Sequence, residues 1–231
     1  MILYQPDGGY CFNSDSIFLY DFIAKLQPKG DLLDVGAGSG VLGLLLARDF
    51  PKLRVEGVEK QETFIWLAQH NAKINKIPYK LYQGDFTTVL FDKKYDFIIS
   101  NPPFYPSKSQ KSNNTMVYNA RYNENLPMEQ FFKKVSQLLK PHSHFVFCYD
   151  PTQLGDIIAM LDRVKMRVVT IRFVHPKKGK NASLVMIHAR NGSKAFTNVL
   201  EPLFNFEETT PTQEVQMIYK KAQTQSIKCH I

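Results

Sequence analysis

Cysteine is scarce in this chain of 231 residues: Cys11, Cys148 and Cys229 are far apart and share no Cys-x-x-Cys spacing. An odd, dispersed set argues against a disulfide framework and a cysteine-based zinc site, and it points to a reducing compartment. Tryptophan occurs once. No run of about 18 apolar residues is present, which argues against a membrane-spanning helix. The opening MILYQPDGGY has no basic stretch followed by an apolar one and does not read as a signal peptide, so a cytoplasmic protein without a membrane partner is expected. The six histidines, at 70, 142, 144, 175, 188 and 230, have no clustered spacing with acids, which argues against a catalytic metal.

What is present is an ordinary globular composition, 44% hydrophobic and 22% charged, of a length that favours one domain. The formal net charge of +8 is unevenly distributed: residues 1–100 contain 11 Lys+Arg and 12 Asp+Glu, and residues 101–231 contain 18 and 9. The second part therefore carries the surplus. Such a partition suits a chain in which one half handles a small ligand and the other approaches an anion, although solvated faces give the same count.

Short β-branched or apolar runs recur at 31–35, 53–58, 79–82, 95–100, 144–149, 167–174 and 183–189, with helical patterns over 41–50, 61–75, 128–139 and 152–164. Strands alternating with crossover helices predict an α/β fold: a mostly parallel, seven-stranded sheet with helices on both faces. The last two runs follow each other through the turn-rich HPKKGKNAS and predict a C-terminal antiparallel hairpin. The expected organisation is a single domain over 1–231, with a pre-core segment 1–30, a core 31–190 and a basic C-terminal extension 191–231. Residues 106–125 are polar and aperiodic and read as a long loop of the kind that is usually functional.

The first run leads into Asp34-Val35-Gly36-Ala37-Gly38-Ser39-Gly40 and then the helical VLGLLLA. Glycines there allow tight turning and let a ligand lie against bare backbone at a helix N-terminus. Gly38-x-Gly40-x-x-Gly43 also fits the dinucleotide pattern, so the loop alone is ambiguous. The second run ends in Glu59, 23 residues past Gly36, where a carboxylate can accept both ribose hydroxyls of an adenosine. The third leads into Asp85 and Phe86, where the Asp suits an adenine amine and Phe86 or a neighbour its ring, although an Asp after a strand is also a common turn former.

The fourth run empties into Asn101-Pro102-Pro103-Phe104. Amide and exocyclic amine nitrogens are poor nucleophiles, because their lone pairs are delocalised. The Asn101 side-chain oxygen and a Pro102 carbonyl stiffened by two prolines can each accept one N–H and aim that lone pair, and Phe104 can stack on a planar substrate.

Together, Asp34 before the glycines and Asn101-Pro102-Pro103-Phe104 after the fourth strand resemble the class I S-adenosylmethionine-dependent methyltransferases of the Asn-Pro-Pro-aromatic, N6-adenine type. The resemblance implies a Rossmann-like fold, S-adenosylmethionine as cofactor and transfer to a nitrogen. It implies that Asp15, Asp34, Gly36, Gly38, Gly40, Glu59, Asp85, Phe86 and Asn101 bind cofactor, and that Asn101, Pro102, Pro103 and Phe104 carry the reaction. Gly9 to Leu19, with its Asp15-Ser16 pair, and Ala120-Arg121-Tyr122 with Leu126 are similar to flanking segments of bacterial enzymes acting on N6 of adenine 37 in valine tRNA. The Asp15-Ser16 pair equally fits a helix N-cap.

Three substrates share the tetrapeptide: adenine in DNA, adenine in RNA, and the glutamine amide of release factors. Release-factor enzymes carry a helical domain before such a core, and DNA enzymes append a recognition domain. Here the glycine loop begins at residue 36, and only 42 residues follow Ala189. A tRNA or other structured RNA is therefore the expected partner, read by shape and phosphate contacts. Lys108, Lys111, Arg121, Lys177, Lys178 and Lys180 are the candidate RNA contacts. A non-catalytic RNA-binding protein on the same fold is the alternative from another class.

Overall fold

The computed structural model describes residues 1–7, 11–102 and 128–229. Pro103, Phe104, Lys108, Lys111 and Arg121 thus lie outside the described residues, as does the whole stretch 106–125 read as a loop.

In chain order the elements are β1 (Ile2–Pro6), α1 (Ser14–Ala24), β2 (Gly30–Val35), α2 (Val41–Asp49), β3 (Leu53–Glu59), α3 (Glu62–Ile74), β4 (Lys80–Gln83) and β5 (Tyr95–Ser100). They continue with α4 (Met128–Leu138), β6 (Leu139–Tyr149), α5 (Leu154–Arg163), β7 (Met166–Lys177), β8 (Leu184–Asn191), β9 (Asn198–Val199), β10 (Leu203–Glu207), β11 (Thr210–Pro211), α6 (Gln213–Ala222) and β12 (Gln225–Cys229). All seven sequence-predicted strands are present. They lie in the order β7-β8-β6-β5-β2-β3-β4, with β10 and β11 added beyond β7 and β9 also paired to β7. The sheet accordingly has ten strands where seven were expected. β9 and β11, of two residues each, are too short to show alternation, and Pro202 stands directly before the five-residue β10.

Strands β2 to β6 are mutually parallel, and β8 runs antiparallel to both β6 and β7, which is the expected hairpin. The parallel strands read as near-continuous apolar runs because helices cover both of their faces. Leu32, Leu33, Ile98 and Ile99 have no exposed surface. Helix α1 went unread for a related reason: Ser16 to Ala24 are all buried, so the helix is apolar all round and shows no amphipathic period. Its start is fixed by Asn13, whose side-chain oxygen accepts the Asp15 N–H. Helix α2 starts at Gly40 in a left-handed conformation (φ +83°) and ends before Pro51.

The chain ends meet. β1 pairs in parallel with β12 in a separate two-stranded sheet. Residues 191–231 hold four lysines and four glutamates, so this stretch is neutral and the expectation of a basic extension is corrected. The surplus lies wholly in residues 101–190, which hold 14 Lys+Arg and five Asp+Glu. No described helix is long and apolar enough to cross a membrane.

Candidate active site

Strand β2 has β3 on one side and β5 on the other, so the chain reverses its direction of sheet growth there. A crevice opens at the carboxyl ends of the strands at such a switch point, and ligands of open α/β sheets bind in it. The glycine loop after β2 and Asn101 after β5 are the two segments that flank it. They share one groove, lined by Gly36, Gly38, Ser39 and Asn101 with Phe12 and Ser16.

Gly36 (φ +71°) and Gly38 (φ +54°) adopt backbone conformations that side chains disfavour, and a Cβ on either would meet nothing within 4 Å. Open space therefore lies against their backbone. Gly40 and Gly43 are needed for the opposite reason. A Cβ on Gly43 would come within 2.7 Å of the Tyr79 hydroxyl, and one on Gly40 within 3.2 Å of Ala68 and Tyr79.

Asp34 is buried, and its Oδ2 accepts the Gly43 N–H at 3.0 Å and the Tyr79 hydroxyl at 3.3 Å. Its carboxyl fastens the first turn of α2 to β2, and Asp34 is among the residues that line the groove. Burial pushes its pKa up to about 7, against the pull of the Gly43 and Tyr79 hydrogen bonds, with help from the charge of Glu59.

Glu59 accepts the Gly38 N–H at 3.0 Å through Oε2, and the Lys60 and Gln61 N–H groups at 2.8 and 2.9 Å through Oε1. Burial raises its pKa in spite of these bonds. A carboxylate offers about four lone-pair sites. Three are engaged, which leaves about one acceptor site for a further donor.

Asp85 closes a turn, its Oδ1 taking the Thr87 N–H at 2.9 Å and the Thr87 hydroxyl at 2.6 Å, while Lys60 reaches Oδ2 at 3.3 Å. Burial raises its pKa, and the Thr87 and Lys60 contacts outweigh that and lower it. Phe86 is 5% exposed and packs edge-on against Phe131 at 5.4 Å, inside the core. Lys134 of α4, which sequence reading missed, donates to the Thr87 and Val89 carbonyls and holds this turn.

Asn101 is oriented from two sides. Its Nδ2 donates to the Ser16 hydroxyl at 3.0 Å, and its Oδ1 accepts the Cys148 thiol at 3.0 Å. One lone pair of Oδ1 remains for another donor. Burial pushes the Cys148 thiol well up, so it stays protonated and donates. Of the Asp15-Ser16 pair it is Ser16 that lines the groove. The Asp15 carboxylate accepts the Asn13 amide at 2.7 Å within the helix cap, and burial raises its pKa.

The β7–β8 hairpin tip carries Lys177, Lys178 and Lys180. Ser100 pairs Phe147, Tyr149 pairs Val185, and Leu184 pairs Val174, so the tip projects from the same sheet edge as Asn101. Three strand spacings separate β7 from β5, about 14 Å. An open cleft beside the tip is lined by Lys177, Lys180 and Phe206. Among the described residues no group of His, Cys, Asp and Glu could hold a metal.

A family model for the methyltransferase small domain matches residues 13–126. The chain is 28% identical over 168 residues to a tRNA1(Val) (adenine(37)-N6)-methyltransferase of Porphyromonas gingivalis, covering 67% of this chain and 66%, just under two thirds, of that relative's length. It is 40% identical over 91 residues to a release factor glutamine methyltransferase of Geobacter sulfurreducens, covering 39% of this chain and 32% of that one. A solved structure from Agrobacterium tumefaciens, described as a predicted O-methyltransferase, superposes with a TM-score of 0.70 at 18% identity, covering 92% of this chain and 99% of that one. The architecture is the Rossmann-like fold seen in class I S-adenosylmethionine-dependent methyltransferases, and residues 13–126, just under half of the chain, are similar to the methyltransferase small domain.

Proposed function

We propose that this protein transfers a methyl group from S-adenosylmethionine to the N6 of an adenine in RNA, specifically a tRNA, within one methyltransferase domain over 1–231. The observation that carries the reading is that Asn101, held by Ser16 and Cys148, lines the same groove as Gly36 and Gly38.

The residues present fit the cofactor. Gly36 and Gly38 leave a cradle that a side chain would fill, and the start of α2 presents N–H groups and partial positive charge to a carboxylate. Glu59 offers its remaining acceptor site to the ribose, and Asp85 stands beyond β4 on the adenine side. When bound, S-adenosylmethionine supplies an electrophilic methyl on a sulfonium centre.

The chain's own work is to orient the amine. Asn101 Oδ1 and the Pro102 carbonyl each accept one N–H, which turns the nitrogen lone pair toward the groove and helps it become tetrahedral. Preorganised acceptors of this kind cost no reorganisation during the reaction. Pro103 and Phe104 complete the motif in sequence, Phe104 stacking on the base. No strong base is needed, because the methylated cationic amine loses its proton readily.

The RNA reading draws on the P. gingivalis relative and on the basic hairpin tip at the Asn101 edge. Transfer to a glutamine amide is the second reading, favoured by the local 40% identity to the release-factor enzyme. Labelled S-adenosylmethionine incubated separately with total tRNA, duplex DNA and release factor decides among them after digestion of the product. Label in N6-methyladenosine of tRNA is expected; label only in glutamine or in DNA refutes the RNA reading.

A further inference from the structure

Strand β1 lies outside the main sheet, yet it touches both walls of the groove through side chains. Asn71 of α3 is fully buried; its Oδ1 accepts the Tyr4 N–H at 2.7 Å, and its Nδ2 donates to the Tyr4 carbonyl at 3.1 Å and to the Ser39 carbonyl of the glycine loop at 2.9 Å. One amide therefore ties the backbone of β1 to the loop. Gln5, 3% exposed, does the same on the other wall: its Oε1 accepts the Phe12 N–H at 2.9 Å, and its Nε2 donates to Ser226 of β12 at 2.8 Å. Ser39 and Phe12 both line the groove. Asn75, one turn after Asn71, also bonds β1 at Ile2 but reaches neither wall.

We infer that the β1–β12 strand pair is a brace for the cofactor groove, with Asn71 and Gln5 as positioning residues that set the glycine loop and the Phe12 segment without touching a ligand. Buried amides suit this task, because breaking one leaves unsatisfied backbone groups and so holds the loop to a single arrangement. The assignment rests on the groove being the cofactor site proposed above.

The test compares Asn71→Ala and Gln5→Ala with Asn75→Ala, which loosens β1 without freeing a wall. Calorimetric titration with S-adenosylmethionine is expected to show about tenfold weaker binding for the first two and a change under about twofold for the third, as removal of one positioning hydrogen bond implies. The KM for the cofactor should rise with Kd, while kcat at saturation changes less. Hydrogen exchange supplies a readout without ligand: amides of residues 36–43 should exchange faster in Asn71→Ala than in Asn75→Ala. Equal binding by Asn71→Ala and the parent protein, or an equal loss in Asn75→Ala, overturns the brace. If the parent protein binds no S-adenosylmethionine, the cofactor reading fails, and faster loop exchange in Asn71→Ala alone still supports the brace while unchanged exchange overturns it.

Discussion

The Asn101 amide donates to the Ser16 hydroxyl at 3.0 Å, joining the end of β5 to the first turn of α1 across 85 residues of sequence. With Nδ2 engaged there, Oδ1 is the end of the side chain that faces other donors, and Cys148 takes only one of its lone pairs. Asn101→Ala is expected to keep cofactor affinity and to lose turnover by on the order of 10²–10³, the range typical of removing one preorganised polar group from a reacting centre. Ser16→Ala leaves the acceptor in place but frees its rotation, and the expected loss in kcat is about tenfold. Single-turnover methylation beside calorimetric cofactor binding checks both. Unchanged turnover in Asn101→Ala removes Asn101 from the reaction.

Asp34 is a buried acid whose job in the fold is to hold the Gly43 N–H, and its pKa of about 7 lies above the 3.8 of an exposed carboxyl. Between these values the native state keeps a proton that the unfolded chain has released, so stability from this group is full at low pH and is lost as pH rises toward and through 7. Asp34→Asn keeps an acceptor for Gly43 and has nothing to titrate. The melting temperature of the variant minus that of the parent should rise by a few degrees from pH 5 to pH 8. A difference that stays flat across this range would place the proton elsewhere.

The seven central strands and four helices were legible because each is decided by its own residues: apolar runs for buried parallel strands, and three- and four-residue steps for helices with one wet face. The glycine loop was legible for the same local reason. What escaped reading depends on distant partners. Nothing near Asn101 announces Ser16 or Cys148, and nothing near Ser39 announces Asn71. The core packing of Phe86 was equally illegible, because an aromatic after a strand suits a ring stack and a core alike, and its neighbours Phe91 and Phe131 come from elsewhere in the chain. β1 and β12 stabilise each other from opposite ends of the chain, and neither has a strong pattern alone.

His144 and His188, on neighbouring strands β6 and β8, share a ring-nitrogen hydrogen bond of 2.8 Å, and Phe97 stacks on His144 at 4.4 Å. Burial pushes both imidazoles down, to about 4 and about 3, and the positive charge of Arg190 adds to the effect. In the unfolded chain each titrates near 6.5, so the unfolded state binds more protons below that pH and stability falls as pH drops from 6.5 toward 4. Replacing the pair with His144→Phe and His188→Met should reduce proton uptake on unfolding at pH 5.5 by about two protons. Urea titrations between pH 5 and 7 measure this as a shallower dependence of stability on pH, and an unaltered slope would assign the acid sensitivity to other groups.

The hairpin tip gives the charge asymmetry of the sequence a location. All of the positive surplus falls in residues 101–190, and Lys177, Lys178 and Lys180 stand on the sheet edge that also carries Asn101, on a strand three spacings from β5 and beyond the register position of Asn101. Exposed lysines on that edge are suited to phosphates that flank an adenine presented at Asn101, because they act as point charges and release counterions from the backbone they meet. Lys177→Glu combined with Lys178→Glu should weaken binding of structured RNA while leaving S-adenosylmethionine affinity unchanged. The log–log dependence of RNA affinity on salt should flatten by roughly 0.7–0.9 for each phosphate that the variant no longer neutralises. Filter binding across a series of salt concentrations measures the slope, and a slope equal to that of the parent protein would move the RNA surface away from the hairpin.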